Sequence, residues 1–462
     1  MTTNTIDTEI AALLAENDRR NEIMFAKFDP VTGEGSIGKR VRVSIADFAI
    51  PVQWLPVEMM DIPLVKKLVK AGSIDKFLSS VMHVEPNDDD FIKVSRTLIR
   101  LRYKNDFPFW TATLVYIHNK DAGKDVLFRL WYPQRILVSR FEAKRKAGEP
   151  IRLILLKARQ WGGSTQLYMA WLQFFHKKGL NSLIIAHQGT ASDEIKDMFD
   201  LMIKKHPVEF LHRLGEVYSE NEPKLVGVGK SGSTHRVPQR ECKIKVGTAE
   251  RPNGCRGGAY SLVHLSEVGL WQKTEGKSPE DIVRSACSGI LAKPYTMIVM
   301  ESTANGTGNF FHREYSAAAD PKVKSQYEAL FIAWFQIEHY SLPFNSAEEL
   351  HDFAKQLWEN RNNAYTPSNR EESGRYLWSL WERGASLEAI HWYIYERAGK
   401  NDFAVMAAEF PSDDVEAFVH SGTMVFDKYL VKQFEPFCRE PKFVGEVYAD
   451  ADEGEEALSN LR

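Results

Sequence analysis

Lys157-Ala-Arg-Gln-Trp-Gly-Gly-Ser-Thr165 joins an unbroken apolar run, Ile151 to Leu156, to a helical stretch that ends at Gly179. The run reads as a buried strand, and Gly179 as a helix C-cap. A strand, a glycine turn and a helix start together make an anion cradle, because backbone N–H groups converge there and the helix dipole favours negative charge. The common triphosphate-binding form of such a loop is G-x-x-x-x-G-K-[ST]. Lys157 stands where the first glycine would be and Gly163 where the lysine would be, whereas Gly162, Ser164 and Thr165 fit. The chemistry needs a cation near the outer phosphates, and Lys157 or Arg159 can supply it from the other end of the loop. Ser164 stands where a hydroxyl ligates magnesium, and Thr165 begins the helix beside it. Taken alone, the same residues also read as a plain strand-to-helix turn.

The surroundings favour the cradle. From residue 151, short apolar runs alternate with helical stretches: IRLILL, SLIIAH (182–187), KIKVGTA (243–249), SLVHLSE (261–267) and TMIVMES (296–302). Apolar strands interleaved with helices predict a mostly parallel sheet covered on both faces. Residues 1–40 read as a polar helix and a Gly-rich connector, and 41–150 as short helices mixed with aromatic, strand-like runs such as FPFWTATLVYIH. Beyond 306 the chain reads as helical and Trp-rich to about 405, with weak strand signals at 417–448. The expected organisation is an accessory region over 1–100, a catalytic core over 101–305, a lid or linker subdomain over 306–430, and the start of a further linker over 431–462.

Composition narrows the class. The 462 residues are 44% hydrophobic and 26% charged, enough for a substantial core. No window approaches a membrane span, and the polar, acidic start lacks a signal-peptide core, so the expected compartment is a cytosol. Cys242, Cys255, Cys287 and Cys438 form no CxxC pair and read as reduced and structural. The net charge of −3 does not announce a DNA-coating protein. The local basic stretches (Arg100, Arg102 and Lys104; Arg140, Lys144, Arg145 and Lys146; Arg236, Arg240, Lys243 and Lys245) read first as solvated surface.

Further elements follow in a specific order. K-x-R-Q-x-G-x-S-T resembles the variant Walker A loop of the large terminase subunits of tailed bacteriophages, with Gln160 inside it. Upstream, Leu130-Trp-Tyr-Pro-Gln134 resembles their adenine-contacting Q motif. Downstream, Leu262-Val-His-Leu-Ser-Glu267 resembles Walker B, with Ser266 in the place of the usual aspartate. Met300-Glu-Ser-Thr-Ala-Asn-Gly306 resembles the coupling motif, in which Ser302, Thr303 and Asn305 offer short hydrogen-bonding groups. Ala408-Glu-Phe-Pro-Ser, Glu416-Ala-Phe418 and Ser421-Gly-Thr-Met-Val-Phe-Asp427 resemble the junction that precedes a nuclease. The resemblance covers roughly residues 100–430.

That resemblance implies an α/β fold of the P-loop NTPase type (ASCE/RecA-like), a mostly parallel sheet flanked by helices with a smaller helical lid. It implies ATP and Mg²⁺ as cofactors and ATP hydrolysis by in-line attack of water, driving double-stranded DNA into a procapsid. Glu267 is the expected catalytic carboxylate. Ser164 and Ser266 are the expected magnesium contacts, the serine at 266 being weak and neutral. Gln134, Lys157, Gln160, Gly162, Gly163, Ser164 and Thr165 are expected at the nucleotide. Arg159 is a candidate arginine finger in cis, Arg251 and Arg256 in trans. Trp334, Trp358, Trp378, Trp381 and Trp392 are expected to pack, not to stack on bases. The implied partners are the portal of the procapsid, a small terminase subunit and further copies in a ring, a pentamer, with a monomer in isolation, acting in the host cytoplasm. The nuclease is expected to be missing from this chain, whose acidic tail (Asp450 to Glu456) has no strand framework. Two other readings stay open: a superfamily-2-type helicase, which would need a second RecA-like domain, and a non-enzymatic ATP-binding assembly subunit.

Overall fold

The computed structural model describes residues 3–119, 123–158, 164–212, 216–219, 221–228, 233–251, 258–273, 278–363, 373–399, 406 and 409–419. Among them no helix is long and apolar enough to cross a membrane.

The chain opens with α1 (Thr3–Met24) and a hairpin, β1 (Arg40–Ser44) against β2 (Val52–Pro56). Helices α2 (Pro63–Ala71), α3 (Ile74–Phe77) and α4 (Asp88–Asn105) follow. Their starts are set locally: Ser73 and Asn87 cap α3 and α4 through their side chains. Val43, Leu55, Met59, Leu68, Phe77 and Leu98 close a small separate core. A buried charge cluster ties this core to the next helix, α5 (Phe107–Leu114). Arg40 donates to both oxygens of Asp106 at 2.9 and 2.8 Å, and Arg102 Nε adds a bond at 3.2 Å.

A second hairpin, β3 (Tyr116–Asn119) with β4 (Lys124–Leu127), and α6 (Tyr132–Lys146) lead into the main sheet. Its strands are β5 (Ile151–Lys157), β6 (Ser182–Ala186), β7 (Val226–Val228), β8 (Thr234–Val237), β9 (Cys242–Thr248), β10 (Leu262–Ser266), β11 (Met297–Ser302) and β12 (Glu328–Ile332). The order across the sheet is β12-β5-β11-β10-β6-β9-β8-β7. The six strands from β12 to β9 are parallel, and β8 and β7 add antiparallel pairs at one edge. Connecting helices are α7 (Ser164–Trp171), α8 (Gly189–Lys205), α9 (Pro279–Cys287) and α10 (Phe310–Ala319). Leu153, Leu155, Val299 and Leu262 face one apolar layer, which includes Tyr168 and Trp171 of α7. Ile154, Leu156, Met300 and Leu265 face the other, with Ile282 of α9 and Phe311 of α10. All seven residues of β5 are buried, as a central parallel strand requires. This is the expected α/β architecture: a mostly parallel sheet sandwiched by helices.

A helical subdomain follows: α11 (Ala347–Glu359), α12 (Gly374–Glu382) and α13 (Leu387–Ala398). Helix α1 packs on α11. Asn17 and Asn21 donate to the Glu388 carboxylate, and Arg20 bonds the Trp381 and Ala385 carbonyls while its guanidinium lies 3.8 Å from the Trp381 ring centre. Trp334, Trp381 and Trp392 pack as expected, whereas Trp358 and Trp378 are half-buried. Trp334 is fully buried and meets Trp392 at 5.3 Å, and Trp392 in turn lies tilted against Tyr340 at 4.6 Å and edge-on to Phe410 at 5.2 Å.

Several local expectations need correction. FPFWTATLVYIH is a helix followed by a strand, because Pro108 starts a helix whose apolar residues are buried on every side. The helix after the glycine turn ends at Trp171 in a π-helical turn through His176, short of Gly179. The segment beyond 306 is not purely helical: Glu328–Ile332 returns to the main sheet as its edge strand beside β5. The strand signal at 417 falls on the short helix Asp414–Val419, and 420–448 lies outside the described residues. Arg102 and Arg240 are not solvated surface. The first is buried in the Asp106 cluster, and the second is buried with Nε donating to the Gln173 carbonyl at 2.9 Å. Among the described residues, no second series of parallel strands and helices follows β12.

Candidate active site

The parallel strands all end on one edge of the sheet, where ligands bind in open α/β folds. Lys157 is the last residue of β5 and is buried. Glu267 follows β10 directly and takes a left-handed backbone, φ 53°. A non-glycine residue held there marks local strain of the kind found at functional turns. The turn brings the Glu267 carboxylate back across the strand that separates β10 from β5. Lys157 Nζ donates to Glu267 Oε1 at 2.7 Å. Burial alone would lower the lysine's pKa, but Glu267 and Glu301 outweigh it and hold it above the ordinary value. The ammonium is therefore charged at neutral pH.

The other oxygen of Glu267 is held by β11 and the residue after it. The Thr303 N–H donates at 3.1 Å and its hydroxyl at 3.3 Å, and Ser302 Oγ lies at 3.4 Å. The same segment grips the turn further on: the Gly269 N–H donates to Ser302 Oγ at 3.0 Å, and Asn305 Nδ2 to the Gly269 carbonyl at 3.0 Å. A Cβ at Gly269 would come within 2.8 Å of Ser302 Oγ and 3.0 Å of the Thr303 carbonyl oxygen, so glycine is required by close approach. All three expected coupling residues thus bond the Glu267–Gly269 turn.

Ser164 and Thr165 begin α7, which packs on β10. Both are buried, and among the described residues neither hydroxyl has a hydrogen-bond partner. Buried hydroxyls are normally satisfied. Two orphans at a helix start, at the acidic edge of the sheet, suit a polar ligand there, including a divalent cation with its water shell. Ser266 Oγ donates instead to Glu301 Oε1 at 3.3 Å.

Glu301 and His264 were not among the expected site residues. Glu301 lies on β11 directly opposite Ser266 of β10 and Leu155 of β5. His264 Nε2 approaches Glu301 Oε1 to 3.1 Å. Burial alone would raise the Glu301 pKa, but His264, Lys157 and the Ser266 hydroxyl pull it down to about 2. The available signal was a polar residue inside each of two apolar strands, HLS and MES.

Gln134 is buried at the first turn of α6, where its Oε1 accepts from the Trp131 N–H at 2.9 Å and caps the helix. That helix end faces the segment after β12: the Tyr132 N–H donates to Glu338, and the Trp131 ring lies 5.2 Å from that of His339. Arg251 is exposed on the turn after β9, at the same sheet edge, with its N–H bonded to Thr248. Arg159, Gln160, Gly162, Gly163 and Arg256 lie outside the described residues. Cys242 and Cys287 are buried, and burial pushes both thiols up to about 12, which suits packing and not nucleophilic chemistry. The arrangement can hold an anion at the start of α7, meet it with an ammonium, and present a carboxylate for general-base work.

No family model matches the chain, and no curated protein does. Among the solved structures similar to it are phage packaging proteins. The ATPase domain of the large terminase of Thermus phage P74-26 is 17% identical over 47% of this chain and 83% of that one, with a TM-score of 0.27. The large terminase of bacteriophage HK97 is 12% identical over 60% of this chain and 58% of that one, with a TM-score of 0.39. The Phi-28 gp11 DNA packaging motor is 14% identical over 50% of this chain and 65% of that one, with a TM-score of 0.23. These likenesses are distant and partial.

Proposed function

We propose that this chain hydrolyses ATP and is the motor subunit of a viral terminase, moving double-stranded DNA into a procapsid. One observation carries the reading: Lys157 and Glu267 converge at the carboxyl edge of the sheet, and the Glu267 carboxylate is fixed from the far side by Thr303. The triphosphate lies at the start of α7, and Gly162 and Gly163 are assigned to it from the sequence. Lys157 neutralises charge on its outer phosphates, with Arg159 and Gln160 from the same loop. Glu267 orients the attacking water and accepts its proton, the water oxygen bonds the γ-phosphorus, and the bridging oxygen leaves on ADP. Bound Mg²⁺ would offset phosphate charge, with the Ser164 hydroxyl as the first protein contact and Ser266 acting from further out. Gln134, at a helix end that meets the segment leading into the helical subdomain, is assigned to the base on the strength of its motif.

The bonds from Ser302, Thr303 and Asn305 to the Glu267–Gly269 turn transmit the state of the γ-phosphate outward. Arg251, exposed at the active edge, and Arg256 are the arginines to be offered to a neighbouring copy in a ring. Duplex contact is to the backbone, independent of sequence and sensitive to salt. The partners are a procapsid portal and a small terminase subunit in the host cytoplasm.

A phosphate-release assay with and without double-stranded DNA tests this. It is run at high protein concentration and with procapsids, beside Lys157→Ala and Glu267→Ala. DNA-stimulated release by the parent, lost in both variants, is the expected result. Release by the parent no greater than by Glu267→Ala would leave a nucleotide-binding assembly subunit as the better description.

A further inference from the structure

We infer that Glu301 supplies the fixed negative charge that anchors a divalent cation at the nucleotide, in place of the carboxylate that position 266 lacks. The inference rests on the nucleotide reading above and deepens it.

Side chains alternate across a strand, and residues paired in register between parallel strands point to the same face. Lys157 shares a face with Leu155, Leu155 pairs with Glu301, and Glu301 pairs with Ser266. Lys157, Glu301, Ser266 and His264 therefore all face the layer occupied by α7, whose first residues are Ser164 and Thr165. Position 266 itself offers only a hydroxyl. Neighbouring strands are about 4.8 Å apart, and a glutamate one strand over reaches back along that distance. Glu301 does so: its Oε1 lies 3.3 Å from Ser266 Oγ, one hydrogen bond beyond the end of the serine side chain. The acid is thus displaced laterally by one strand, and Ser266 relays it.

A second, independent feature points to a ligand on this face. The Ser164 and Thr165 hydroxyls are buried at 0% and 1% exposure, with no partner among the described residues. Ser164 and the Ser266–Glu301 pair would hold a hydrated cation here, and its waters with the phosphate oxygens would give both hydroxyls partners. Among the described residues no trio of His, Cys, Asp and Glu could chelate a metal alone. Such a cation therefore binds only together with the nucleotide's own oxygens, as magnesium usually does.

The test measures Mn²⁺ binding by electron paramagnetic resonance, with a non-hydrolysable ATP analogue present, and nucleotide binding in EDTA. Parent, Glu301→Gln, Ser266→Ala and the double variant Ser266→Asp with Glu301→Gln are compared. Glu301→Gln is expected to weaken Mn²⁺ in the ternary complex by about 10–100-fold, the range seen for groups that support metal ligands. Metal-free nucleotide affinity should stay within about threefold, the shift an exposed ion pair's worth of energy would cause. The double variant should recover most of the loss, which a merely structural glutamate would not permit. Should Glu301→Gln fail to fold, Ser266→Ala carries the same expectation of weakened Mn²⁺. Unchanged Mn²⁺ affinity in the folded variants, with the parent binding Mn²⁺ and nucleotide normally, overturns this inference and leaves the ATPase reading standing. A parent that binds no nucleotide overturns both.

Discussion

Lys157 Nζ lies 2.7 Å from Glu267 Oε1, joining the last residue of β5 to the proposed catalytic carboxylate across an intervening strand. The lysine side chain is only 7% exposed and the glutamate 21%. Such a pair is costly to break from one side, because the remaining charge keeps its desolvation penalty. It also links two duties. An anion that draws Lys157 toward itself loosens one of the two oxygens of Glu267, while Thr303 continues to hold the other. Anion binding and carboxylate availability are thereby mechanically connected.

That connection separates two variants. Glu267→Gln keeps an oxygen for Lys157 and an NH2 that can donate to the Thr303 hydroxyl, loses the acceptor for the Thr303 N–H, and removes the base. Nucleotide affinity should be retained while turnover falls by about 10²–10⁴, the worth of a positioned general base. Lys157→Ala should lower both, with turnover down by about 10²–10³, the cost of removing one preorganised electrostatic contact. Equilibrium binding of a fluorescent nucleotide, read beside single-turnover hydrolysis, distinguishes the patterns. Equal effects of the two variants on affinity would contradict the division of labour.

Gly269→Ala tests the clasp between the Glu267 turn and β11. The added methyl meets a backbone oxygen at 3.0 Å as well as the Ser302 hydroxyl at 2.8 Å, so a rotamer change cannot relieve it. The expected cost is about 1–3 kcal/mol, the usual range for overpacking. Hydrolysis should fall further than this stability loss explains, because Ser302, Thr303 and Asn305 are displaced together. Denaturant midpoints and phosphate release on the same preparation give the comparison, and normal hydrolysis at a reduced midpoint would dispose of the idea.

His206 supplies a pH dependence remote from the active edge. It is buried, Trp110 Nε1 donates to its Nε2 at 3.1 Å, and burial brings its pKa down to about 4, with Lys224 adding slightly and the Pro207 carbonyl opposing. The unfolded histidine titrates near its ordinary value of about 6.5. Between those values the unfolded chain holds more protons, so stability is full above about pH 6.5 and drains away as pH falls toward 4. His206→Gln retains an acceptor for Trp110. It should flatten the slope in that window by up to about 1.4 kcal/mol per pH unit, the value of one proton. Urea midpoints at several pH values measure it, and an unchanged slope would refute the assignment.

Asp106→Asn should unsettle the N-terminal core without touching the active edge. The carboxylate is completely buried and holds Arg40 at two points and Arg102 at one. Neutralising it strands two buried guanidinium groups, at about 3–5 kcal/mol. Limited proteolysis should then cut within 40–106 first. Loss of nucleotide binding before that cleavage would mean that the cluster supports the site directly.

The parallel strands were legible because both their faces are buried, which leaves unbroken runs such as Ile151 to Leu156. The edge strands were not: Val226–Val228 and Thr234–Val237 are short, and Glu328–Ile332 is only half-buried along most of its length. Lys157, Glu267, Ser302, Thr303 and Asn305 were legible through their order along the chain. Glu301 was not, because its meaning is lateral. Its partner Ser266 is 35 residues away and becomes a neighbour only through the placement of β11 beside β10. Arg102 and Arg240 misled for the same reason, since a basic run reveals nothing of an aspartate or carbonyl brought in from elsewhere.

Helix α1 finds its partners in Trp381, Ala385 and Glu388, with Glu388 lying 371 positions after Asn17. During synthesis the ribosome adds roughly 5–20 residues per second. The first helix therefore waits about 20–70 s on that rate, with Ile10 and Leu13 uncovered, before its dock exists. Among the described elements it is the earliest to be made and among the last able to be seated, which leaves this segment exposed to chaperones and proteases in every newborn molecule.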